Sequence, residues 1–298
     1  MSKNNFLIGL GFLILAQSMV GVNIVASKLL LASTPVLFLL LMRFVIASSV
    51  LLPLHWATPA RNYSIKEHFS KLQKRDWGFI FAQALSAGFL FNCLMLIGLN
   101  YTDANVAGII TSALPAIIAI MAWLVLGEKI SPQKALCIVF ATAGLVVIAC
   151  GKLRNIGSSH SFLGDSIVLL SLLPEAAYYV LCKVYSNRLP IFLTSVLLNG
   201  INAILLLPIL FFIDFSSLVM NAANWFNLFI VGLSSALFYV FWFMGAQRVD
   251  SILASLSTAI MPVATVILAW IILGEQLNLT EFAGMSLVIF SIFLYARR

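Results

Sequence analysis

Long apolar runs separated by short polar segments fill almost the whole chain, and each run is long enough to cross a hydrocarbon core of about 30 Å as a helix. They fall at 6–28, 36–56, 77–99, 104–126, 132–150, 164–186, 191–213, 225–247, 251–273 and 279–296, which predicts ten transmembrane helices. The fold class expected is therefore all-α integral membrane, with no stretch left over for a soluble catalytic or regulatory domain. The first run has only Lys3 ahead of it and continues past any small-residue cleavage site, so it reads as an uncleaved helix rather than a signal peptide.

The pattern is written twice. Sliding the sequence by 147 positions lays Gly98 on Gly245, Asp103 on Asp250, Thr111 on Thr258, Pro115 on Pro262, Trp123 on Trp270 and Gly127-Glu128 on Gly274-Glu275. An offset of 155 lays Lys28 on Lys183, Pro35 on Pro190 and Pro53 on Pro208. The offset changes where the first half carries a long polar loop and the second a short one. The expected domains are 1–150 and 151–298, each a unit of five spans. An odd count forces two copies inserted in series to face opposite ways, the inverted-repeat plan of secondary transporters, which bind substrate near the midplane between halves.

Composition agrees: 62% of residues are hydrophobic and 9% charged, too few charges to cover a water-facing surface. The net charge of +7 is no nucleic-acid footprint, because it is laid out by side. With the N-terminus in the cytoplasm, the cytoplasmic segments collect most of the cations, including Arg61, Lys66, Lys71, Lys74 and Arg75, and the other side has only Lys28, Lys152 and Arg154. That asymmetry places both termini inside. Cys93, Cys137, Cys150 and Cys182 lie in or at the ends of spans without metal-ligand spacing, so neither a disulfide nor a metal site is expected. His55, His68 and His160 lie at a helix end or in loops, and no phosphate-binding Gly-Lys-Ser/Thr loop is present. No cofactor is expected, and an intramembrane enzyme would need converging polar groups that the spans do not supply.

Several span residues carry candidate chemistry. Pro115 and Pro262 sit mid-span, where a missing N–H frees a carbonyl that protein, water or ligand must satisfy. Ser251, Ser255, Thr258 and Pro262 form one small-residue stripe, and Ala104, Gly108, Thr111 and Pro115 form its twin. Such stripes either pack helices closely or face a shared central cavity. On the eighth span Ser235, Tyr239 and Trp242 share a face that could form an aromatic wall. In the third, Gln83, Ser86 and Asn92 form no single clean face. Glu128 and Glu275 read as corner residues at span ends, Lys28 and Lys183 as snorkelling cations, and Arg43 lies deeper.

Glu175 carries the strongest signal. It is the carboxylate nearest the middle of any span, where an acidic side chain costs roughly 2.5–3.5 kcal/mol on insertion scales. Ser171, Tyr178, Tyr179 and Cys182 lie on its general face, and Gln17 or Asn23 of the first span are its candidate hydrogen-bond partners if the acid is structural.

Gly21-Val22-Asn23, Lys28, Pro35 and Arg43-Phe44, then Ala113-Leu114-Pro115, Trp123, Gly127-Glu128 and Pro132, with the second copy of the Pro…Trp…Gly-Glu pattern, resemble the drug/metabolite transporter superfamily, specifically its ten-helix EamA-type branch. The resemblance implies a duplicated five-helix unit and a transport function, with export as the usual direction. Members commonly carry tryptophan just before the small-residue run of each unit's first helix, and here Val20 and Glu175 stand in those places. The run from Glu175 to Lys183 also resembles the first helix of the four-helix small multidrug transporters, whose membrane glutamate exchanges protons for cationic drugs.

The function expected is a secondary transporter and exporter of a small polar metabolite, amino acid or amphiphilic amine, by proton-coupled alternating access. The alternative is uptake or exchange of a cationic nucleoside-like metabolite such as S-adenosylmethionine, as in some ten-helix relatives, and a further one is a non-transporting membrane receptor. The expected site draws on Glu175, Tyr178, Tyr179, Thr111, Pro115, Tyr239, Trp242, Ser255, Thr258, Pro262, Gln17 and Asn23. Expected partners are a small-molecule substrate, protons and the bilayer of a bacterial inner membrane, with no nucleic acid, in a monomer or weak dimer.

Overall fold

The computed structural model describes residues 3–62, 64–127, 132, 135–136, 139–140, 143–144, 147, 161–185, 189–213, 220–249, 254, 257–258, 260–276 and 278–296. Most of the predicted fifth span, together with Glu128, Cys137, Cys150, His160, Asp250, Ser251 and Ser255, lies outside them. The regular elements among the described residues are all helical, the α-helices being α1 Lys3–Leu31, α2 Val36–Trp56, α3 Ile65–Ser70, α4 Lys74–Gln83, α5 Phe91–Tyr101, α6 Ala104–Ile110, α7 Leu114–Leu126, α8 Phe162–Val184, α9 Ile191–Leu206, α10 Ala222–Ala246, α11 Ile260–Leu268 and α12 Leu279–Ala296. Among the described residues five helical stretches are long and apolar enough to cross a membrane: Asn5–Leu31, Val36–Trp56, Lys74–Tyr101, Phe162–Cys182 and Ala222–Ala246. Leu114–Leu126, Ile191–Leu206 and Ile260–Leu273 are shorter apolar helices. Bulky apolar side chains such as Phe211, Phe212, Leu124 and Ile271 are left exposed, as suits a surface solvated by lipid rather than water.

Positions equated by the two offsets perform the same backbone task. Pro35 and Pro190 stand at the N-caps of α2 and α9 with φ/ψ of −58°/137° and −57°/145°, where the ring presets the turn and the missing N–H has no partner to lose. Gly127 and Gly274 end their helices at φ 65° and 67°, the left-handed conformation that a Cβ would strain. The fourth span breaks just before its proline: Thr111–Ala113 tightens into a 3₁₀ turn, and Pro115 enters the first turn of α7. In the ninth span Thr258 lies in a turn, its carbonyl accepting from the Met261 N–H immediately before Pro262. Lys28, expected at a span end, donates from Nζ to the carbonyls of Leu99 and Thr102, each at 2.7 Å, and so caps α5.

The third span is continuous over Lys74–Tyr101 but not uniform, because Ala84–Leu90 winds as a π-helix between α4 and α5. There the Phe91 N–H reaches back to the Ser86 carbonyl. The wider turn displaces carbonyls from their usual partners, and side chains take over. Asn92 Nδ2 donates to Ala87 O at 2.7 Å and Gly88 O at 2.6 Å, and Asn202 Nδ2 of α9 donates to Ala84 O at 2.9 Å.

Helices pack through small residues. α1 runs antiparallel along α10, with Gly9 beside Arg248, Leu13 beside Gly245, and Asn23 bonded to Val231 and Ser234. α8 lies against α5 where Gly98 and Gly164 let the backbones approach. α2 packs on α9 and α10, and α11 on α1 and α6. A Cβ on Gly108 would sit 2.7 Å from Thr265 Cβ, and one on Gly21 would sit 2.9 Å from the Thr265 N. The threonine is thus the meeting point of three helices.

Candidate functional site

Between α1, α2, the π-helical stretch, α5, α8 and α10 lies a small, partly open cavity of about 30 Å³. Its apolar wall includes Met19, Phe91 and Phe238. Its polar groups include Glu175 from α8, Arg43 from α2, Asn92 from α5, Asn23 and Ser27 from α1, and Ser235 with Tyr239 from α10. Elements far apart in sequence are needed to build it, which is why no local motif announces the whole site.

Glu175 is 3% exposed, and its Oε2 has no hydrogen-bond partner among the described residues. Tyr179 lies within hydrogen-bonding reach of the carboxyl group, and Gln17 Nε2 in turn donates to the Tyr179 hydroxyl at 3.4 Å. Arg43 is close enough to Glu175 for their charges to interact, yet its fork is turned elsewhere. Nε donates to Ser235 Oγ at 3.1 Å, and Nη1 donates to Asn92 Oδ1. A carboxyl and a guanidinium thus face one cavity without closing on each other, and the carboxyl keeps one oxygen unbonded among the described residues. In low dielectric such charges attract a complementary ligand strongly.

Behind this surface stands an aromatic layer. Tyr178 and Tyr179 of α8 meet edge to face at 5.5 Å, Tyr178 meets Tyr239 at 6.3 Å, and Tyr179 meets Trp242 at 4.8 Å. The layer buries hydroxyls and an indole and bridges α8 and α10 through ring contacts.

Of the sequence-derived candidates, Glu175, Asn23 and Tyr239 come together on the cavity. Gln17, Tyr178, Tyr179 and Trp242 stand behind it as its support. Asn23 donates to Val231 O at 2.9 Å and Ser234 Oγ at 3.0 Å, so it joins α1 to α10 rather than reaching Glu175. Thr111, Pro115, Thr258 and Pro262 are buried and do not line this cavity. Thr111 donates back to Gly108 O within its own helix, and α6 packs its small face on α11. Ser255 is outside the described residues. Gly108→Val and Thr258→Trp are therefore expected to lower the melting temperature by several degrees, as overpacking a close helix seam costs about 1–3 kcal/mol. Thermal unfolding in detergent checks this; loss of transport at unchanged melting temperature would instead put the stripes on the pathway.

Arg43, Asn92, Ser27 and Ser235 complete the cavity without having been among those candidates. Arg43 carried a usable signal, since an arginine deep in a span is as unexpected as a glutamate. Ser27 and Asn92 carried none that helical periodicity could separate from packing.

Comparison with known proteins points one way. The sequence model of the EamA-like transporter family matches residues 7–150 and again 162–297. An uncharacterized transporter of Bacillus subtilis (strain 168), YetK, is 28% identical over 283 residues, covering 94% of this chain and 84% of its own. A second from the same organism, YvbV, is 28% identical over 292 residues, covering 96% and 89%. A crystal structure matches with a TM-score of 0.73 at 17% identity, over 100% of this chain and 98% of that one, a likeness of fold.

Proposed function

The chain belongs to the EamA-like transporter family of the drug/metabolite transporter superfamily, multi-pass membrane proteins and not enzymes, and from that premise we propose that it carries a small zwitterionic metabolite of amino-acid size through the Glu175–Arg43 cavity by alternating access. The observation that carries this reading is the pair of opposite charges that share the cavity and are not paired with each other. Arg43 offers N–H donors to a substrate carboxylate. Glu175 receives the substrate ammonium or, in its absence, a proton, because an unpaired carboxylate is costly in an apolar surround. Tyr239 and Phe238 supply the apolar and cation–π contacts. An amine lacking a carboxylate would leave its charge facing Arg43.

The architecture that goes with this function is ten spans in two inverted five-helix units, 1–150 and 151–298, with the cavity between them. The packing supports it: the first span lies on the eighth and the sixth on the third, the second packs on the seventh, and the fourth on the ninth. Exchanging the halves returns the same set of contacts, as a two-fold axis in the membrane plane requires. In this reading both termini are cytoplasmic, the membrane is the bacterial inner membrane, and net movement is outward. Cysteines placed at Ala32 and Asn221 in a cysteine-free background should then react with an impermeant thiol reagent from outside, and one at Ser70 only after permeabilisation. The opposite labelling would invert the topology.

Substrate class is tested with a melting-temperature panel on the purified protein, in which each L-amino acid is compared with its decarboxylated amine and its N-acetyl derivative. The zwitterions should stabilise, and removing either charge should abolish the shift. Stabilisation by the amines alone would reject the assignment of Arg43.

A further inference from the structure

Asn92 touches two things that the transport reading keeps separate, the charged wall of the cavity and the backbone of the third span. Its amide group has three partners. Nδ2 donates to Ala87 O at 2.7 Å and Gly88 O at 2.6 Å, and Oδ1 accepts from Arg43 Nη1. One orientation alone satisfies all three, with the NH₂ toward the carbonyls and the oxygen toward the guanidinium. Both carbonyls belong to the π-helical stretch Ala84–Leu90, whose wide turn persists because side chains occupy its displaced carbonyls. The far end of the same stretch is held from the other half of the chain, where Asn202 Nδ2 donates to Ala84 O at 2.9 Å. Asn202 is buried and lies on α9, outside the cavity lining. Gly88 gives Asn202 its place, since a Cβ there would collide with the Asn202 side chain. A π-helical insertion is energetically poorer than an α-helix, so it stands poised to rewind once its side-chain partners let go.

We propose that Asn92 is a positioning residue that ties the state of Arg43 to the winding of the third span. While Arg43 holds the Asn92 oxygen, the amide stays aligned on Ala87 O and Gly88 O and the π-helical stretch is retained. When a ligand carboxylate takes the guanidinium, Asn92 is free to turn, the two carbonyls lose their donors, and Ala84–Leu90 can pass toward α-helical winding. Rewinding changes the rotation of every residue on one side of the stretch relative to the other, which moves α4 against α5 and so against α8 and α9, the elements packed there. Occupancy of the cavity is thereby converted into a change between the halves. The role of the linkage in transport rests on the reading of the cavity as a substrate site; the linkage itself does not.

The test uses the full chain in nanodiscs of fixed lipid composition, without substrate, and follows amide hydrogen exchange in wild type, Arg43→Gln, Asn92→Ala and the double variant. Arg43→Gln should speed exchange of the amides following the π-helical stretch by about tenfold, because passing between the two windings breaks and remakes their hydrogen bonds and the release of Asn92 makes that passage more frequent. Asn92→Ala should do at least as much, and the double variant should be no faster than Asn92→Ala alone. Exchange in α7 should not move, which separates the effect from general loosening. Additive effects, or a wild-type rate in Arg43→Gln, would overturn the linkage. If Arg43→Gln does not fold, Arg43→Lys, which keeps the charge and loses the fork, carries the same comparison. Because no substrate is present, a negative result here leaves the transport reading standing, and absence of transport leaves the linkage standing.

Discussion

Glu175→Gln is expected to abolish accumulation of substrate against a gradient while leaving a folded protein. The substitution keeps the shape and hydrogen-bonding capacity of the side chain and removes its ability to carry charge. If the carboxylate exchanges a proton for the substrate ammonium, the Gln variant has nothing to exchange, and proton-driven flux should fall to background. Exchange of labelled for unlabelled substrate need not stop with it, since that process moves no net proton. Affinity should weaken as well, because one side of a desolvated charge pair with the ammonium is gone; such losses run about 2–5 kcal/mol, so roughly 30-fold or more. In wild type, binding of the ammonium should weaken as pH falls and the carboxylate takes up a proton, and this dependence should vanish in Glu175→Gln. Flux and pH response like wild type would leave Glu175 as a structural acid held by Tyr179.

Arg43→Gln makes the complementary prediction. Neutral Gln cannot hold a carboxylate bidentately, and the loss for a zwitterion should again be roughly 30-fold or more. For an amine lacking the carboxylate the sign reverses, because a cation is taken away from the cavity wall and the substrate's own charge no longer meets it. Arg43→Gln should therefore gain affinity for the decarboxylated analogue while losing it for the parent. Titration of both ligands against both proteins checks this, and a parallel loss for both would mean that Arg43 acts by holding the structure together. Arg43→Lys should rescue little, since the Nε and Nη1 bonds to Ser235 and Asn92 depend on the planar fork.

The parts of this molecule that could be read from sequence are those where one residue type has one physical use. Pro35 and Pro190 could be matched at a fixed offset because a proline before a helix fixes the turn, and the structure gives both the same dihedrals to within a few degrees. Gly127 and Gly274 end their helices at positive φ, where only glycine is comfortable. Glu175 stood out because a carboxylate in a span is expensive wherever its neighbours lie. The stripes of Thr111 and Thr258 were visible but not their direction, because small residues suit both a pore and a seam; Gly108 of the first meets Thr265 of α11 across a close helix contact.

Asn92 shows what periodicity conceals. Counted at ~100° per residue, it falls on the opposite side of an α-helix from Gln83, and on that reckoning Gln83, Ser86 and Asn92 cannot share a face. All three are buried. The π-helical stretch between them takes up the missing rotation, and nothing in Ala84–Leu90 announces it, since the residues that hold it open are Asn92 beyond it and Asn202 in the other half. The cavity escaped sequence reading for a related reason: its two charges come from α2 and α8, and only tertiary packing brings them to one space.

Counterflow of a radiolabelled zwitterion into proteoliposomes, with the substrate chosen as the one that most stabilises the purified protein, tests the central claim most directly. Vesicles preloaded with the unlabelled compound should take up label transiently with wild type, the uptake should be blocked by the zwitterion and not by its decarboxylated amine, and Arg43→Gln should abolish it. Stabilisation by the zwitterion without any counterflow would contradict the account, leaving a cavity that binds and does not carry.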